Sequence, residues 1–150
     1  MADESGKGDG QPQSDLQPDS GGVVMAIPDY PYSHLTRKEV VGVPVYGLTE
    51  ALWRHWHPCE MMLGEDIPNQ VNGQHLKMPM PVTAGDYVGV MTATANTVKD
   101  AALKAYRRLE KLVVPNSPMY RTDIGKKLAK ELPKIQKHGY AMGMLYSQQS

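Results

Sequence analysis

The chain has 150 residues, 41% hydrophobic and 21% charged, a balance that suits one globular domain with a core of its own. The formal charges cancel, and a single cysteine, Cys59, excludes both an internal disulfide framework and a zinc site built on thiolates. No stretch approaches the roughly 20 apolar residues of a membrane-spanning helix, and no basic segment followed by an apolar run marks a secretory leader, so the expected compartment is a reducing cytoplasm.

Residues 1–22 are rich in Gly, Ser, Asp, Gln and Pro, with Leu16 the one large aliphatic side chain, and carry five acidic groups against Lys7. Such a segment cannot bury enough surface to offset its ordering entropy, which predicts a disordered acidic tail or linker over 1–22 and a single α+β domain over 23–146. Val23 to Ile27 is a short apolar run stopped by Pro28, the pattern of a buried strand, and residues 28–33 hold two prolines that favour a turn. Val40 to Tyr46 is expected to be extended, with Pro44 on an edge because it lacks a ladder donor. Thr49 is placed to cap a short helix through Ala51, Leu52, Trp53 and Trp56 that ends before Pro58.

The stretch from Cys59 to Met80 has little pattern beyond Asn72-Gly73, a hairpin signal that predicts flanking strands, the second through His75 to Met78. Tyr87 to Thr94 is rich in β-formers, with Gly89 inside it. Asn96 or Thr97 suits an N-cap, Asp100 three residues past Thr97 makes a near capping box, and Val98, Ala102, Ala105, Leu109 and Leu112 recur at helical spacing, predicting a helix that Pro115 ends. A second helix is expected from Asp123, with Ile124, Leu128, Leu132 and Ile135 on one face and a kink or break at Pro133. Strands followed by helices, without βαβ alternation, indicate an α+β fold: a small, mostly antiparallel sheet followed by two C-terminal helices.

No catalytic set is evident, and no phosphate-binding loop or dinucleotide fingerprint occurs. His55, His57 and Cys59 provide three metal-ligand types in a row but lack the two separated pairs of a structural zinc site, so no metal is expected. Cys59 lacks an orienting acid for service as a nucleophile. Eleven Lys or Arg against four acids over 99–137 suit either a solvated helix face or a weak nucleic-acid contact, and aromatic residues do not interleave with them. Tyr120-Arg121-Thr122-Asp123-Ile124-Gly125 is the segment with most chemical promise. A helix start here would aim free amides outward beside the planar fork of Arg121, an arrangement suited to phosphate. The alternative is a plain cap by Asp123 with Arg121 in a surface ion pair.

Three blocks carry a family resemblance: Gly22–Ala26 through Tyr30–Ser33, Tyr87–Ala93 with Thr97 and Ala101–Lys111, and Tyr120–Gly125. In their order and spacing they resemble the C-terminal domain of phosphoribosylamine–glycine ligase, an ATP-grasp enzyme of purine synthesis. Thr122 stands where that family has a second arginine, and His55–Cys59 stands where it has a Phe-His-Ala-Gly-Thr segment. The resemblance implies a substrate-capping domain that packs on an ATP-grasp core in a partner chain, which would hold ATP and magnesium. It further implies that Arg121, with Thr122 and Gly125, contacts the phosphate of a phosphorylated small molecule. The competing expectations are a non-catalytic binding or structural module that reuses the fold, and a weak nucleic-acid binder acting through 99–137.

Overall fold

Strand pairing organises the molecule. The computed structural model describes residues 18–32, 37–64, 67–68, 75–76, 79–115 and 118–148. In chain order these hold β1 (Asp19–Ala26), α1 (Arg37–Val40), α2 (Glu50–Trp53), β2 (Trp56–Pro58), β3 (Met61–Gly64), β4 (Ile67–Pro68), β5 (His75–Leu76), β6 (Met80–Thr83), β7 (Tyr87–Ala95), α3 (Val98–Leu109) and α4 (Leu128–Gln136). The class is the expected α+β: small antiparallel sheets, with the two longest helices at the C-terminal end. None of the described helices is long and apolar enough to cross a membrane.

The central sheet has the order β1-β7-β2. β1 opposes β7 over eight residue pairs, from Asp19 with Ala95 to Ala26 with Tyr87. Alternation along these strands sends Val23, Met25, Met91 and Ala93 into the core and turns Val24, Thr92 and Thr94 away from it. β1 begins at Asp19, inside the segment expected to be tail, because pairing with Thr92 to Ala95 satisfies a backbone whose own composition has little tendency to order. Residues 1–17 lie outside the described residues.

α3 follows β7 directly and packs its stripe of Ala101, Ala105 and Leu109 on the sheet. Of the two candidate caps, Thr97 is the one used: its hydroxyl oxygen accepts the Asp100 amide at 3.1 Å and the hydroxyl donates to the Asp100 carboxylate at 2.8 Å. Burial of Leu109, 1% exposed, alone contributes on the order of 2 kcal/mol. The helix stops at Leu109, before the expected Pro115, because Leu112 and Val114 turn inward while Val113 bridges to Tyr46.

Trp56 departs from its expected helix. α2 is a single turn over Glu50–Trp53, capped by Thr49, and Trp56 instead opens β2, opposite Met91 and 3% exposed. Gly89 makes room for it: a Cβ there would overlap Trp56 Cζ2 and approach the His57 carbonyl oxygen to 2.8 Å. Val40 is likewise not extended; it ends α1, and only Pro44 and Tyr46 form bridges, to Val82 and Val113. Thr83 fastens this region, donating to the Val40 carbonyl and accepting the Val43 amide at 3.0 Å. Ile67–Pro68 pairs with His75–Leu76, the strands expected to flank the Asn72-Gly73 turn, which itself lies outside the described residues.

α4 begins at Leu128 rather than Asp123, and Pro133 lies within it without interrupting it. The carbonyl that Pro133 cannot serve belongs to Ala129; both residues are exposed, so water can satisfy it.

Candidate functional site

The segment 120–125 is held against α3. Met119 exchanges two backbone hydrogen bonds with Ala26, at 2.7 and 2.9 Å, which delivers the chain to the end of β1. Tyr120 then packs on the core, its ring 6.2 Å from that of Tyr106. The Tyr106 hydroxyl donates to the Arg121 carbonyl at 2.8 Å and accepts the Ile124 amide at 3.1 Å, clamping the loop from both sides. Gly125 has a φ of 79°, the left-handed region where glycine carries no penalty, and its carbonyl accepts the amide of Leu128 at the start of α4.

The expected helix start at Asp123 is therefore absent. Ile124 to Lys127 form turns, and the amides of Ile124 and Lys126 are taken by Tyr106 and by the Asp123 carbonyl. The guanidinium of Arg121 forks onto Asp123 instead, Nε to Oδ1 at 2.8 Å and Nη2 to Oδ2 at 2.6 Å. Hydrogen bonding from Arg121 holds the Asp123 carboxyl below the usual carboxylate range. The side chain of Arg121 remains 70% exposed.

Thr122 and Gly125, by contrast, border a cavity of about 250 Å³ between this loop, α3 and Tyr146. Val98, Ala102, Leu103 and Ile124 make its walls mostly apolar, and Lys99 and Lys126 bring positive charge to it with no carboxylate among the lining residues. Two of the three anticipated phosphate-contacting residues thus meet at one concavity, and Arg121 stands outside it. Such a site can bind but holds no nucleophile paired with a base. The carbonyls of Leu145 and Tyr146 accept the amides of Val98 and Lys99, so the end of the chain closes the cavity while satisfying the start of α3.

Cys59 is exposed, and its thiol lies 3.7 Å from the His57 carbonyl, whereas the His57 imidazole turns to Thr92 with Nε2 3.1 Å from Oγ1. Thiol and imidazole do not form a catalytic pair. Among the described residues no three His, Cys, Asp or Glu side chains come together as metal ligands; His34 and the side chain of His75 lie outside them.

Tyr106, Lys99 and Tyr146 had no signal in the sequence as members of this site. Tyr106 flanks the apolar stripe of α3, but nothing local ties it to a loop fifteen residues later. No protein-family model matches the chain, and no curated protein matches it either.

Proposed function

We propose that this chain works as a substrate-capping domain of the phosphoribosylamine–glycine ligase kind, in purine synthesis, acting with an ATP-grasp core that supplies ATP, magnesium and phosphoryl transfer. The single observation that carries this reading is the joining of three separate blocks into one unit. The first block runs along β1, which pairs with the second in β7, and the third, Tyr120–Gly125, docks where β1 ends and against α3. Those are the blocks whose order and spacing resemble the ligase domain.

In this role Arg121 receives the phosphate of a phosphorylated substrate. Its guanidinium is exposed but engaged by Asp123 through two short hydrogen bonds, so an incoming phosphate takes the fork by displacing that carboxylate. Thr122 and Gly125 border the adjoining cavity. The reading carries with it a cytoplasmic location. Reconstitution tests it: an ATP-grasp ligase core without its own C-terminal domain should gain glycine-dependent ADP release when this chain is added, and less with Arg121→Ala. No gain with the native chain removes the proposal.

A second reading, a binding module without a part in any reaction, is favoured by the bidentate engagement of Arg121 by Asp123 and by the apolar walls of the cavity.

A further inference from the structure

The open edge of β7 gathers positive charge on the flank of α3 opposite Tyr106. β2 covers β7 only as far as Met91, and Thr92 and Thr94 continue past it. Their carbonyls are met from the side by α3: Arg108 Nη1 donates to Thr92 at 2.8 Å and Lys104 Nζ to Thr94 at 3.2 Å. His55 enters from the turn after α2, its carbonyl accepting the Thr92 amide at 2.8 Å, and His57 reaches the Thr92 hydroxyl. Arg54 stands beside them, and Arg54 and His55 border an open cleft with Thr49, Glu50 and Ala51.

Five basic side chains from α3, β2 and the turn after α2 therefore surround one short stretch of strand. Arg108, Lys104 and His57 are fixed there by side-chain hydrogen bonds to β7 and His55 by its backbone carbonyl, while Arg54 borders the adjoining cleft. Glu50 is the acid in the adjoining cleft; it meets Arg54 at 3.6 Å with both side chains largely exposed, an arrangement that neutralises little. Partial burial first, and then the charges of Arg108, Lys104, Arg54 and His57, hold the His55 imidazole below the usual histidine range. The cations of Arg108, Lys104 and Arg54 kept near His55 form a field that a multivalent anion would relieve. Arg108 and Lys104 each use one donor on β7 and keep others for a ligand.

We propose that this edge is a binding site for a compact polyanion, a small molecule carrying a diphosphate or more than one phosphoryl group, held by Arg54, His55, His57, Lys104 and Arg108. A nucleic-acid backbone calls for a stripe of cations along an extended surface, whereas these converge from three elements on one spot. The site is separate from Arg121 and does not rest on the ligase reading.

Calorimetric titration with inorganic pyrophosphate tests it. The native protein should bind, and Arg54→Gln and Lys104→Gln, both at exposed side chains, should each weaken binding by about fivefold or more, while Arg121→Ala leaves it unchanged. The proton resonance of His55, assigned by its loss in His55→Gln, should titrate at higher pH when pyrophosphate is present, a readout that a merely structural role would not move. The proposal is overturned if the native protein shows no binding at about 5 mM pyrophosphate, or if the Arg54 and Lys104 variants bind as well as it does. It is equally overturned if Arg121→Ala weakens binding as much as they do. An oligonucleotide that displaces pyrophosphate, with affinity falling steeply in salt, would replace it with a nucleic-acid surface.

Discussion

The Tyr106 hydroxyl accepts the amide of Ile124 at 3.1 Å, and through this bond a residue of α3 fixes the loop that carries Arg121, Thr122 and Gly125. The same hydroxyl donates to the Arg121 carbonyl at 2.8 Å, so one oxygen sets both ends of the turn. Tyr106→Phe keeps the ring against Tyr120 and removes only these bonds. It should lower stability by about 1–2 kcal/mol in urea unfolding and speed hydrogen exchange at the Ile124 amide. Unchanged exchange there would show that the loop is held by other means.

Gly89 is required by Trp56. Any Cβ at position 89 overlaps the indole and crowds the His57 carbonyl, and both neighbours belong to β2, which has little room to shift while paired with β7. Gly89→Ala should cost about 3 kcal/mol, read as a lower unfolding midpoint with a shifted tryptophan emission. A variant as stable as the native protein would mean that β2 can move away from β7.

The pH dependence of stability carries a signature of His55. Its folded-state pKa is lowered, by partial burial and by its four basic neighbours, from an ordinary value of 6.5. The unfolded chain therefore takes up a proton more readily than the folded one, and stability should fall as pH drops through the usual histidine range toward the lower folded value. His55→Gln should flatten this part of the profile. An equally steep profile in the variant would assign the dependence to another group.

Elements set by local pattern were legible in the sequence. Thr97 with Asp100 and the stripe through Ala105 and Leu109 specify the start and buried face of α3, because capping and helical spacing act within a few residues. The β-rich run over Tyr87–Thr94 and the apolar run at Val23 mark the two central strands for the same reason, while their pairing is long-range. Trp56 was not legible as a strand residue. The helix implied by its spacing from Leu52 loses to the slot that Gly89 leaves for the indole, a contact made 33 positions along the chain.

The site divides in the same way. Ile124, Leu128 and Leu132 have helical spacing, yet the helix waits until Leu128 because Gly125 adopts a positive φ and Tyr106 holds the Ile124 amide. A surface ion pair for Arg121 beside a helix capped by Asp123 was one of two readings open in the sequence; the ion pair is present, but Asp123 is its partner and caps no helix. The convergence of Arg54, His55, His57, Lys104 and Arg108 needed the pairing of β2 and β7 beneath α3, which no local pattern encodes.

The most direct measurement of the central proposal is calorimetry with glycinamide ribonucleotide, the product of that ligation, which keeps the substrate's phosphate, titrated into the native chain, Arg121→Ala and Arg54→Gln. A capping domain that receives the substrate phosphate at position 121 predicts saturable binding by the native protein, weakened about tenfold or more by Arg121→Ala and unaltered by Arg54→Gln. Absence of binding by the native chain, or equal binding by Arg121→Ala, would contradict it.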